Sequence, residues 1–459
     1  MDHITENMLK RAKRLHFIGI GGSGMYPIVE ILHTEGFIIT GSDNTPGDNI
    51  DRERAMGIIV HMGHDKAHIG DAELVIYSAA IHPDNPERQE AVRRGIPCIE
   101  RSEMLGLLTR RYPKAICVAG THGKTTTSAM LTQMLLAGGY DPSAVIGGKL
   151  GAIGGSGRAG GSDWMVAEAC EFSNTFLHLD PDVGLILNID ADHLEFFGDF
   201  DHIVDAFVSF ANLSKMVVAN GDDPGVLQAL PAIRSNIVTF GWADTNDFYP
   251  DNITVLNPFH TEFDLCKGKE VLAHYTLKVA GRHNIINAVA ALTAGITAGA
   301  KPGMLARGLA DFTGANRRFE LMGAIGNITV VDDYAHHPVE LRVTLETAQT
   351  LGYDRVWAVF QPFTYSRTAM LLDDFAKVLT LADPIVISPI MAGREENTFG
   401  IVDSDLPDKT PGSIFLPSFE AIADYVAEHA RAGDLVITMG CGDIYKCARM
   451  IVHRLQQRQ

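Results

Sequence analysis

Short apolar runs alternate with helix-length amphipathic stretches along most of the chain. Near the N-terminus, residues 15–20, 37–40 and 74–77 have the composition of buried strands, and residues 25–35 have the length and spacing of a helix. This alternation is typical of a parallel α/β sheet. We therefore predict a Rossmann-like N-terminal domain over residues 1–113.

The middle of the chain combines the same pattern with an antiparallel one. Strands are predicted at residues 115–119, 164–167, 183–188, 216–219 and 237–240. Residues 253–279 look antiparallel, with Lys267-Gly268-Lys269 turning one strand into the next, and a helix over 283–298 closes this part. The pattern predicts a central domain over residues 114–313 that has a mixed sheet with an antiparallel extension.

The last third of the chain again alternates strands and helices. Strands are predicted at residues 328–331, 356–360, 385–388 and 435–438, and Pro338 suits the first turn of a helix. The loop-rich stretch 391–417 is predicted to lie on the surface. Together with the first two segments, this predicts a three-domain α/β protein whose C-terminal domain, residues 314–459, is Rossmann-like.

Composition narrows the classes of function. The 459 residues are 46% hydrophobic and 20% charged, values typical of a globular chain, and at about 150 residues per domain they fit three domains. A net charge of -18 argues against nucleic acid as a partner. The sequence has no uninterrupted apolar run of about 18 residues, so we expect no membrane insertion. Six cysteines without a C-x-x-C pair favour a reduced compartment, and we predict the cytoplasm.

A first glycine-rich turn lies between a predicted strand and a predicted helix. It reads Gly19-Ile20-Gly21-Gly22-Ser23-Gly24, and Asp43 follows 24 residues after its first glycine. Glycines let a backbone approach a pyrophosphate, and a helix N-terminus supplies free N–H groups. The turn predicts a diphosphate ligand, for which a nicotinamide cofactor and a nucleotide sugar both fit. The alternative is a tight turn without a ligand.

A second glycine turn is more specific. Gly120-Thr121-His122-Gly123-Lys124-Thr125-Thr126-Thr127 follows a predicted strand and opens a helix. Its backbone N–H groups could cradle phosphates, Lys124 could reach the β and γ positions, and the Thr125 hydroxyl could face Mg²⁺. The pattern is a shortened P-loop, because Val118 stands where a strict Walker sequence has glycine. We predict ATP here and hence a P-loop ATPase-like central domain; the alternative is an accidental glycine-lysine turn.

Two phosphate loops about a hundred residues apart argue against a simple dehydrogenase. One loop could hold ATP and the other a second, diphosphate-bearing substrate, and this pairing suggests that ATP activates that substrate. Further motifs agree with that interpretation: Glu168-Ala169-Cys170-Glu171, Asn188-Ile189-Asp190-Ala191-Asp192-His193, Gly281-Arg282-His283-Asn284, Arg317-Arg318-Phe319, Asp332 to Pro338, and Gln361-Pro362 with Tyr365-Ser366-Arg367-Thr368. In this order, together with the two loops, they resemble the Mur ligase family from residue 17 to about residue 445.

The resemblance implies an ATP-dependent ligase that joins L-alanine to the carboxylate of UDP-N-acetylmuramate through an acyl phosphate. It implies that the first domain holds the UDP-sugar, that the central domain holds ATP with Mg²⁺, and that the C-terminal domain completes the site. The implied UDP-sugar residues are Gly19, Gly21, Gly22, Ser23, Gly24, Asp43 and Ser78. The implied ATP residues are Gly120, Thr121, His122, Gly123, Lys124, Thr125, Thr126, Asn284, Asn287, Arg318 and Asp333.

The remaining implied residues carry the chemistry. Lys124, Glu168, His193 and Arg318 are the expected catalytic groups, Thr125, Glu168 and His193 the expected metal ligands, and Tyr334, His336 and Arg367 the expected amino-acid and acyl site. Four of the implied residues have a structural alternative: a solvated strand-end acid for Glu168, a structural histidine for His193, and an interdomain salt bridge for Arg318 and Asp333. Asn284 and Asn287 could instead be a helix cap and a surface residue. His336 could take the proton of the amine or only orient it.

Three positions depart from the family pattern, and three rival functions remain. Phe363 and Thr364 stand where histidine and arginine are frequent, and Cys170, which we expect to be a small buried residue, replaces an aspartate. The nearest rival is a family member that adds a whole tripeptide to the same sugar; the short spacing between Glu168 and His193 favours alanine. The other rivals are an NAD-dependent oxidoreductase and a non-catalytic nucleotide-binding regulator.

Overall fold

The computed structural model describes residues 9–192, 194–393 and 395–458 of the chain. These residues divide into two compact units. The first runs up to Val255 and includes Thr261–Lys278 and His283–Phe312; the second consists of Leu256–His260, Val279–Arg282 and the chain from Thr313 onward. Three sheets are present, so the predicted α/β class is confirmed. The three-domain division at residues 113 and 313 stays a prediction.

The N-terminal sheet has five parallel strands in the order β3-β2-β1-β4-β5. The order reverses between β1 and β4, which is the point where doubly wound sheets open a crevice for a ligand. Its strands are β1 Arg14–Ile18, β2 Ile38–Asp43, β3 Ile59–Met62, β4 Leu74–Tyr77 and β5 Cys98–Glu100, and its helices are α1 Tyr26–Thr34, α2 Asp48–Ala55, α3 Pro86–Arg93 and α4 Arg101–Thr109.

The central sheet has ten strands in the order β15-β14-β13-β12-β11-β10-β6-β9-β7-β8. The strands are β6 Lys114–Ala119, β7 Ser143–Leu150, β8 Gly155–Arg158, β9 Trp164–Glu168, β10 Val183–Ile186, β11 Met216–Asn220, β12 Asn236–Phe240, β13 Phe248–Asn257, β14 His260–Lys267 and β15 Glu270–Leu277. The helices are α5 Lys124–Ala137, α6 Leu194–Phe197, α7 Phe200–Leu213, α8 Pro224–Ala229, α9 Arg282–Thr297 and α10 Pro302–Ala310. Strands β14 and β15 pair antiparallel, as predicted.

The first unit buries one continuous apolar core that draws on both of its sheets. Phe17 and Leu74 belong to this core from the N-terminal sheet, and Ala119 and Ile186 from the central sheet. Polar contacts cross the same boundary: the Ser156 hydroxyl donates to the Ser23 carbonyl oxygen at 3.1 Å. The two sheets are therefore held as one body, with their glycine turns at a fixed separation.

The C-terminal sheet has six strands in the order β16-β17-β21-β18-β19-β20, with β16 antiparallel at one edge. Its strands are β16 Glu320–Ile325, β17 Ile328–Asp333, β18 Arg355–Phe360, β19 Ile385–Ile387, β20 Ser413–Phe415 and β21 Asp434–Met439; its helices are α11 Pro338–Gln349, α12 Tyr365–Met370, α13 Leu372–Leu379, α14 Asp405–Lys409, α15 Phe419–His429 and α16 Tyr445–Arg458. Along β18, Ala358 and Phe360 enter one apolar cluster, whereas Trp357 and Val359 enter another. Alternation thus buries both faces, as in other parallel sheets.

The stretch 391–417 differs from its sequence interpretation as a surface loop. It contains α14 and the edge strand β20, and Ile401 and Leu406 are buried there. The prolines and glycines of this stretch favoured the interpretation as a loop. Strand β20 forms because it pairs with β19, and such pairing cannot be recognised from one segment of sequence. Among the described residues, no helix has the length and apolar character required to cross a bilayer.

One carboxyl group in the N-terminal sheet layer is buried without a partner. Glu53, on α2, is fully buried, and neither of its carboxylate oxygens has a hydrogen-bond partner among the described residues. Burial, reinforced by the nearby Asp43 carboxylate, raises the pKa of Glu53 to about 8. The acid is therefore protonated in the folded protein at neutral pH and ionised in the unfolded chain.

We expect Glu53→Gln to stabilise the protein at alkaline pH. Because the pKa of Glu53 is raised in the folded state, the wild type loses stability as pH rises from about 5 to about 8. The neutral amide of the variant avoids that loss, which amounts to about 2 kcal/mol or more at pH 8.5. Thermal melting at pH 5.5 and 8.5 measures this. The exposed Glu428→Gln is the control, and equal melting shifts for both variants at the two pH values would contradict the prediction.

Candidate active site

The second glycine turn connects β6 to α5 and depends on two backbone positions. Gly120 has φ +145° and Gly123 has φ +84°, conformations that side chains other than glycine rarely adopt. A Cβ atom at Gly120 would lie 2.9 Å from the Cβ atom of Leu187. The glycine turn therefore packs against Leu187, which follows β10. Its N–H groups lie at the start of α5, and Thr126 belongs to the first turn of that helix.

Asn188 holds this turn in place, a role that the sequence analysis did not assign. The His122 N–H donates to Asn188 Oδ1 at 2.8 Å, and Asn188 Nδ2 donates back to the His122 carbonyl oxygen at 3.0 Å. The Thr121 N–H also donates to the Asn188 carbonyl oxygen at 3.1 Å. In the sequence, Asn188 is an amide residue at the end of a predicted buried strand and the first residue of the motif Asn188 to His193. Its function became clear only from its reciprocal backbone bonds.

Lys124 lies folded against the turn. Its ammonium group donates to the carbonyl oxygens of Gly120 and Thr121 and forms an ion pair with Glu171, whose two oxygens are 2.9 and 2.8 Å away. The Lys124 and Glu171 side chains are 14% and 4% exposed. Glu171 was quoted as part of a motif but was given no role in the sequence analysis.

Glu168 is the last residue of β9, as predicted, and it faces the same turn. The Thr125 hydroxyl donates to Glu168 Oε1 at 3.2 Å, and the Gly147 N–H donates to Oε2 at 2.8 Å. Hydroxyl and carboxylate oxygens are the donors that Mg²⁺ prefers, so these two residues fit that ion. No group of three or more metal-binding side chains occurs within the described residues. His193, the third predicted ligand, lies outside them.

Asn284 and Asn287 are buried and face one another on α9. Asn287 Nδ2 donates to Asn284 Oδ1 at 3.1 Å. A Cβ atom at Gly123 would lie 2.8 Å from Asn287 Oδ1, so this amide lies beside the second glycine turn. The alternative interpretation of Asn287 as a surface residue is wrong, because only 7% of the residue is exposed.

The first glycine turn brings its predicted residues together at the carboxyl end of the N-terminal sheet. The Gly21 N–H donates to Asp43 Oδ2 at 3.0 Å. A Cβ atom at Gly19, where φ is +80°, would lie 3.3 Å from the Cβ atom of Ser78. Gly22 and Ser23 are exposed and Gly24 is partly exposed, so the outer part of the turn is accessible to a ligand.

A cavity of about 300 Å³ within the first unit extends from the first turn to Glu168, whose carboxylate accepts from Thr125 of the second turn. Its wall includes Ser23 and Gly24 of the first turn, Gly147 and Glu168 of the second site, and Cys170 and Arg101. Cys170 is exposed, so the expectation of a buried residue is wrong: the chain after β9 leaves the sheet at this point. Arg101 forms no ion pair with the part of the chain that the structure describes, and sequence analysis missed it because one arginine at a helix start carries no motif.

In the second unit, the two neighbouring arginines have different surroundings. Arg317 is bound within its own unit: it forms an ion pair with Asp332 at 2.9 Å and donates to the carbonyl oxygens of Gly440 and Gly442. Burial raises the pKa of Asp332 to about 6, although Arg317 opposes that shift. Both guanidinium groups lie over the Tyr334 ring, Arg317 at 5.1 Å and Arg318 at 5.4 Å from its centroid, but Arg318 has no ion pair among the described residues.

Asp333, Tyr334 and His336 follow one another at the end of β17. Asp333 is buried, and its oxygens accept from the N–H groups of Phe319 and Ala335 at 2.7 and 2.8 Å; burial raises its pKa. The rings of Tyr334 and His336 are 5.4 Å apart. His336 Nδ1 lies 3.1 Å from both the Tyr334 carbonyl oxygen and Glu340 Oε2. Since both neighbours are acceptors, their positions favour a proton on Nδ1, with Nε2 directed away from them.

Arg367 lies on the short helix α12. Its Nη1 atom is buried without a hydrogen-bond partner among the described residues. The helix is fastened at its start by Ser366, whose N–H and hydroxyl donate to the two oxygens of Glu395 at 3.0 and 2.6 Å. Phe363 packs its ring near Gly393, where a Cβ atom would be 3.3 Å from it. A cation with a buried, unused donor is suited to a small anionic group.

Three family descriptions match successive parts of the chain. Residues 14–113 match the Mur ligase family catalytic domain, residues 118–295 match the Mur ligase middle domain, and residues 317–442 match the Mur ligase glutamate ligase domain.

Curated relatives align over nearly the whole chain. The UDP-N-acetylmuramate–L-alanine ligase of Acetivibrio thermocellus is 42% identical, and the alignment covers 96% of both chains. The ligase of the same name from Caldanaerobacter subterraneus subsp. tengcongensis is 41% identical, covering 95% of this chain and 97% of that one.

Solved structures agree in fold. The UDP-N-acetylmuramate–alanine ligase of Thermotoga maritima matches with a TM-score of 0.78 and 26% identity. The match covers 97% of this chain and 100% of that one. A murein peptide ligase from Psychrobacter arcticus matches with a TM-score of 0.69 and 24% identity over 96% of this chain and 98% of that one. At that identity the second likeness concerns the fold alone.

We expect Gly147→Ala to displace the Glu168 carboxylate. A Cβ atom at Gly147 would lie 2.6 Å from both carboxylate oxygens, so Glu168 must move away from Thr125. Binding of ATP in the presence of Mg²⁺ should weaken about tenfold, which corresponds to about 1.4 kcal/mol. Isothermal titration calorimetry measures the affinity. Gly151→Ala is the control because nothing lies within 4 Å of its Cβ position; equal affinities for both variants would refute the prediction.

Proposed function

The chain belongs to the Mur ligase family, and we propose that it is an ATP-dependent ligase that joins L-alanine to the lactyl carboxylate of UDP-N-acetylmuramate. The observation that carries the proposal is the cavity in which the first glycine turn and the Glu168 side of the second turn share one wall. A sugar nucleotide bound at the first turn could extend its carboxylate toward a triphosphate at the second. The full-length relatives named for this reaction support the same choice.

The reaction requires ATP because joining a carboxylate to an amine in water is uphill. A carboxylate oxygen attacks the γ-phosphorus, the bond from that phosphorus to the β–γ bridging oxygen breaks, and ADP leaves. The amine nitrogen of alanine then attacks the acyl carbon, the carbon–oxygen bond to phosphate breaks, and the amine gives up a proton. Both steps gather negative charge on oxygen, so positioning and fixed positive charge supply most of the catalysis.

The central turn would bind the triphosphate. The N–H groups at the start of α5 meet phosphate oxygens, and the Lys124 ammonium neutralises the β and γ positions. Thr125 and Glu168 would hold Mg²⁺, which when bound offsets charge on the phosphates and the carboxylate. Asn284 and Asn287, buried beside Gly123, would hold the nucleotide from the α9 side.

The first turn and Arg101 would bind the UDP-sugar. The N–H groups around Gly22 and Ser23 are suited to a diphosphate, while Asp43 already accepts from the Gly21 N–H and shapes the turn. Arg101 adds positive charge to the cavity wall on the same side. In a chain with a net charge of -18, such local cations attract an anionic substrate.

Groups of the second unit are proposed for the remaining roles. Arg318 would stabilise the transferring phosphoryl group, and Asp333 would contact the ribose of ATP. Arg367, with its unpartnered Nη1 atom, would bind the alanine carboxylate. His336 presents Nε2 as a proton acceptor while Glu340 holds Nδ1, an arrangement suited to taking the proton of the amine. Tyr334 would border the acyl group. The predicted cytoplasmic location is part of this proposal.

Addition of a whole tripeptide to the same sugar is the second candidate function, and the relatives at 42% and 41% identity favour alanine. An NAD-dependent oxidoreductase would leave Lys124 and Glu168 without a role. A non-catalytic regulator would leave the cavity between the first turn and Glu168 without a role.

We expect phosphate release to require three compounds together. With Mg²⁺-ATP and UDP-N-acetylmuramate, addition of L-alanine should start steady release of inorganic phosphate and ADP, because the second step regenerates the free enzyme. A coupled phosphate assay measures this, and the tripeptide substituted for alanine tests the second candidate. Turnover with the sugar alone, or with the tripeptide but not alanine, would overturn the proposal; an absorbance titration with NAD tests the oxidoreductase.

We expect Arg101→Met to weaken binding of UDP-N-acetylmuramate. Removing the cation from the cavity wall should raise the KM for the sugar nucleotide about tenfold, the cost of a charge-assisted hydrogen bond, while the KM for ATP changes little. Initial rates with each substrate varied in turn give both constants. Arg93→Met is the control because Arg93 pairs with Glu90 on α3 and does not border the cavity. An unchanged KM for the sugar would exclude this role of Arg101.

A further inference from the structure

The Lys124 ammonium group has no spare hydrogen to offer a phosphate. An ammonium carries three N–H donors. Four oxygens already surround Nζ: the carbonyl oxygens of Gly120 and Thr121, and both carboxylate oxygens of Glu171. A nucleotide phosphate oxygen can therefore bind Lys124 only by replacing one of these partners.

Glu171 is the partner that can be exchanged. The two carbonyl oxygens belong to the turn itself, whose shape is held by Asn188 and by the contact of Gly120 with Leu187. Glu171 reaches Lys124 from a different segment, three residues beyond the end of β9. Its carboxylate is also the one negatively charged group among the four oxygens, so it resembles a phosphate oxygen in both charge and hydrogen bonding.

We propose that Glu171 is a positioning residue that competes with nucleotide phosphates for the Lys124 ammonium and thereby weakens the binding of ADP. The inference rests on the proposed ATP site and adds a residue to it. A triphosphate displaces Glu171 more strongly than a diphosphate does, because it carries more charge to the same ammonium. After phosphoryl transfer, Glu171 recaptures Lys124 and favours release of ADP.

The test is ADP binding to the full-length Glu171→Gln variant by calorimetry. The amide has the same shape but no charge to compete for the ammonium, so we expect the dissociation constant for ADP to fall about tenfold. A purely structural Glu171 would give weaker binding. Glu171→Ala provides a second variant that should change affinity in the same direction, and thermal melting checks that each variant is folded.

Two comparisons separate competition for Lys124 from a general change of charge. Asp190→Asn removes a carboxylate beside the same turn, 3.5 Å from His122, without touching Lys124, and it should tighten ADP binding less than twofold. In a Lys124→Met background, Glu171→Gln should have no effect, because the group through which it acts is gone. Tightening that persists in that background, or that Asp190→Asn reproduces, would overturn the inference.

The outcomes also separate this inference from the proposed function. A wild-type protein that binds neither ADP nor ATP would contradict the proposed function. A wild type that binds ADP, together with a Glu171→Gln variant that binds it equally or more weakly, would contradict only the role of Glu171.

Discussion

Parallel pairing of three neighbouring strands is the constraint on which the central site depends. β6 lies between β9 and β10 and pairs parallel with both, so the carboxyl ends of all three meet at one edge of the sheet. The glycine turn follows β6, Glu168 ends β9, and Asn188 follows β10. Groups separated by up to about seventy residues in the chain are thereby placed within hydrogen-bond distance of one turn.

This edge is also where the charges of the protein are balanced locally. The chain is strongly acidic overall, and at this edge Lys124 supplies a cation with Glu171 as its counter-charge. Burial makes such a pair sensitive to the loss of either member, because an unpaired charge in a low-dielectric surrounding is costly. The Lys124 member of the pair also donates to two carbonyl oxygens of the turn, so the pair and the turn are held together.

The second unit also has a buried ion pair, formed by Arg317 and Asp332, at the end of a strand of its own sheet. Arg317 connects the end of β17 to the turn after β21 through Asp332 and backbone carbonyl oxygens, and both Arg317 and Arg318 lie over the Tyr334 ring. The two consecutive arginines are therefore held differently: Arg317 has an ion pair and backbone acceptors, and Arg318 has neither among the described residues. Their order in the sequence does not distinguish them, but their positions relative to the buried Asp332 do.

Much of the fold was predictable because period-two and helical spacing reflect burial directly. Strands such as β4 and β6 and the start of α11 at Pro338 lie where the pattern predicted them, within a residue. The pattern missed the eight-residue strand β7 as well as short elements such as β20. β20 exists because it pairs with β19, and Cys170 is exposed because of the direction that the chain takes after β9. Neither property is encoded in a local pattern.

The amino-acid sequence by itself determined the three α/β segments, both glycine turns and the residue types that are predicted to meet phosphate, since these follow from spacing and from backbone chemistry within a few consecutive residues. Only the tertiary structure decided that Asn188 holds the second turn, that Arg101 borders the cavity and that Glu171 pairs with Lys124. Those relationships join distant segments, and the free energy that brings the segments together comes from burying a shared core rather than from any one of the residues involved.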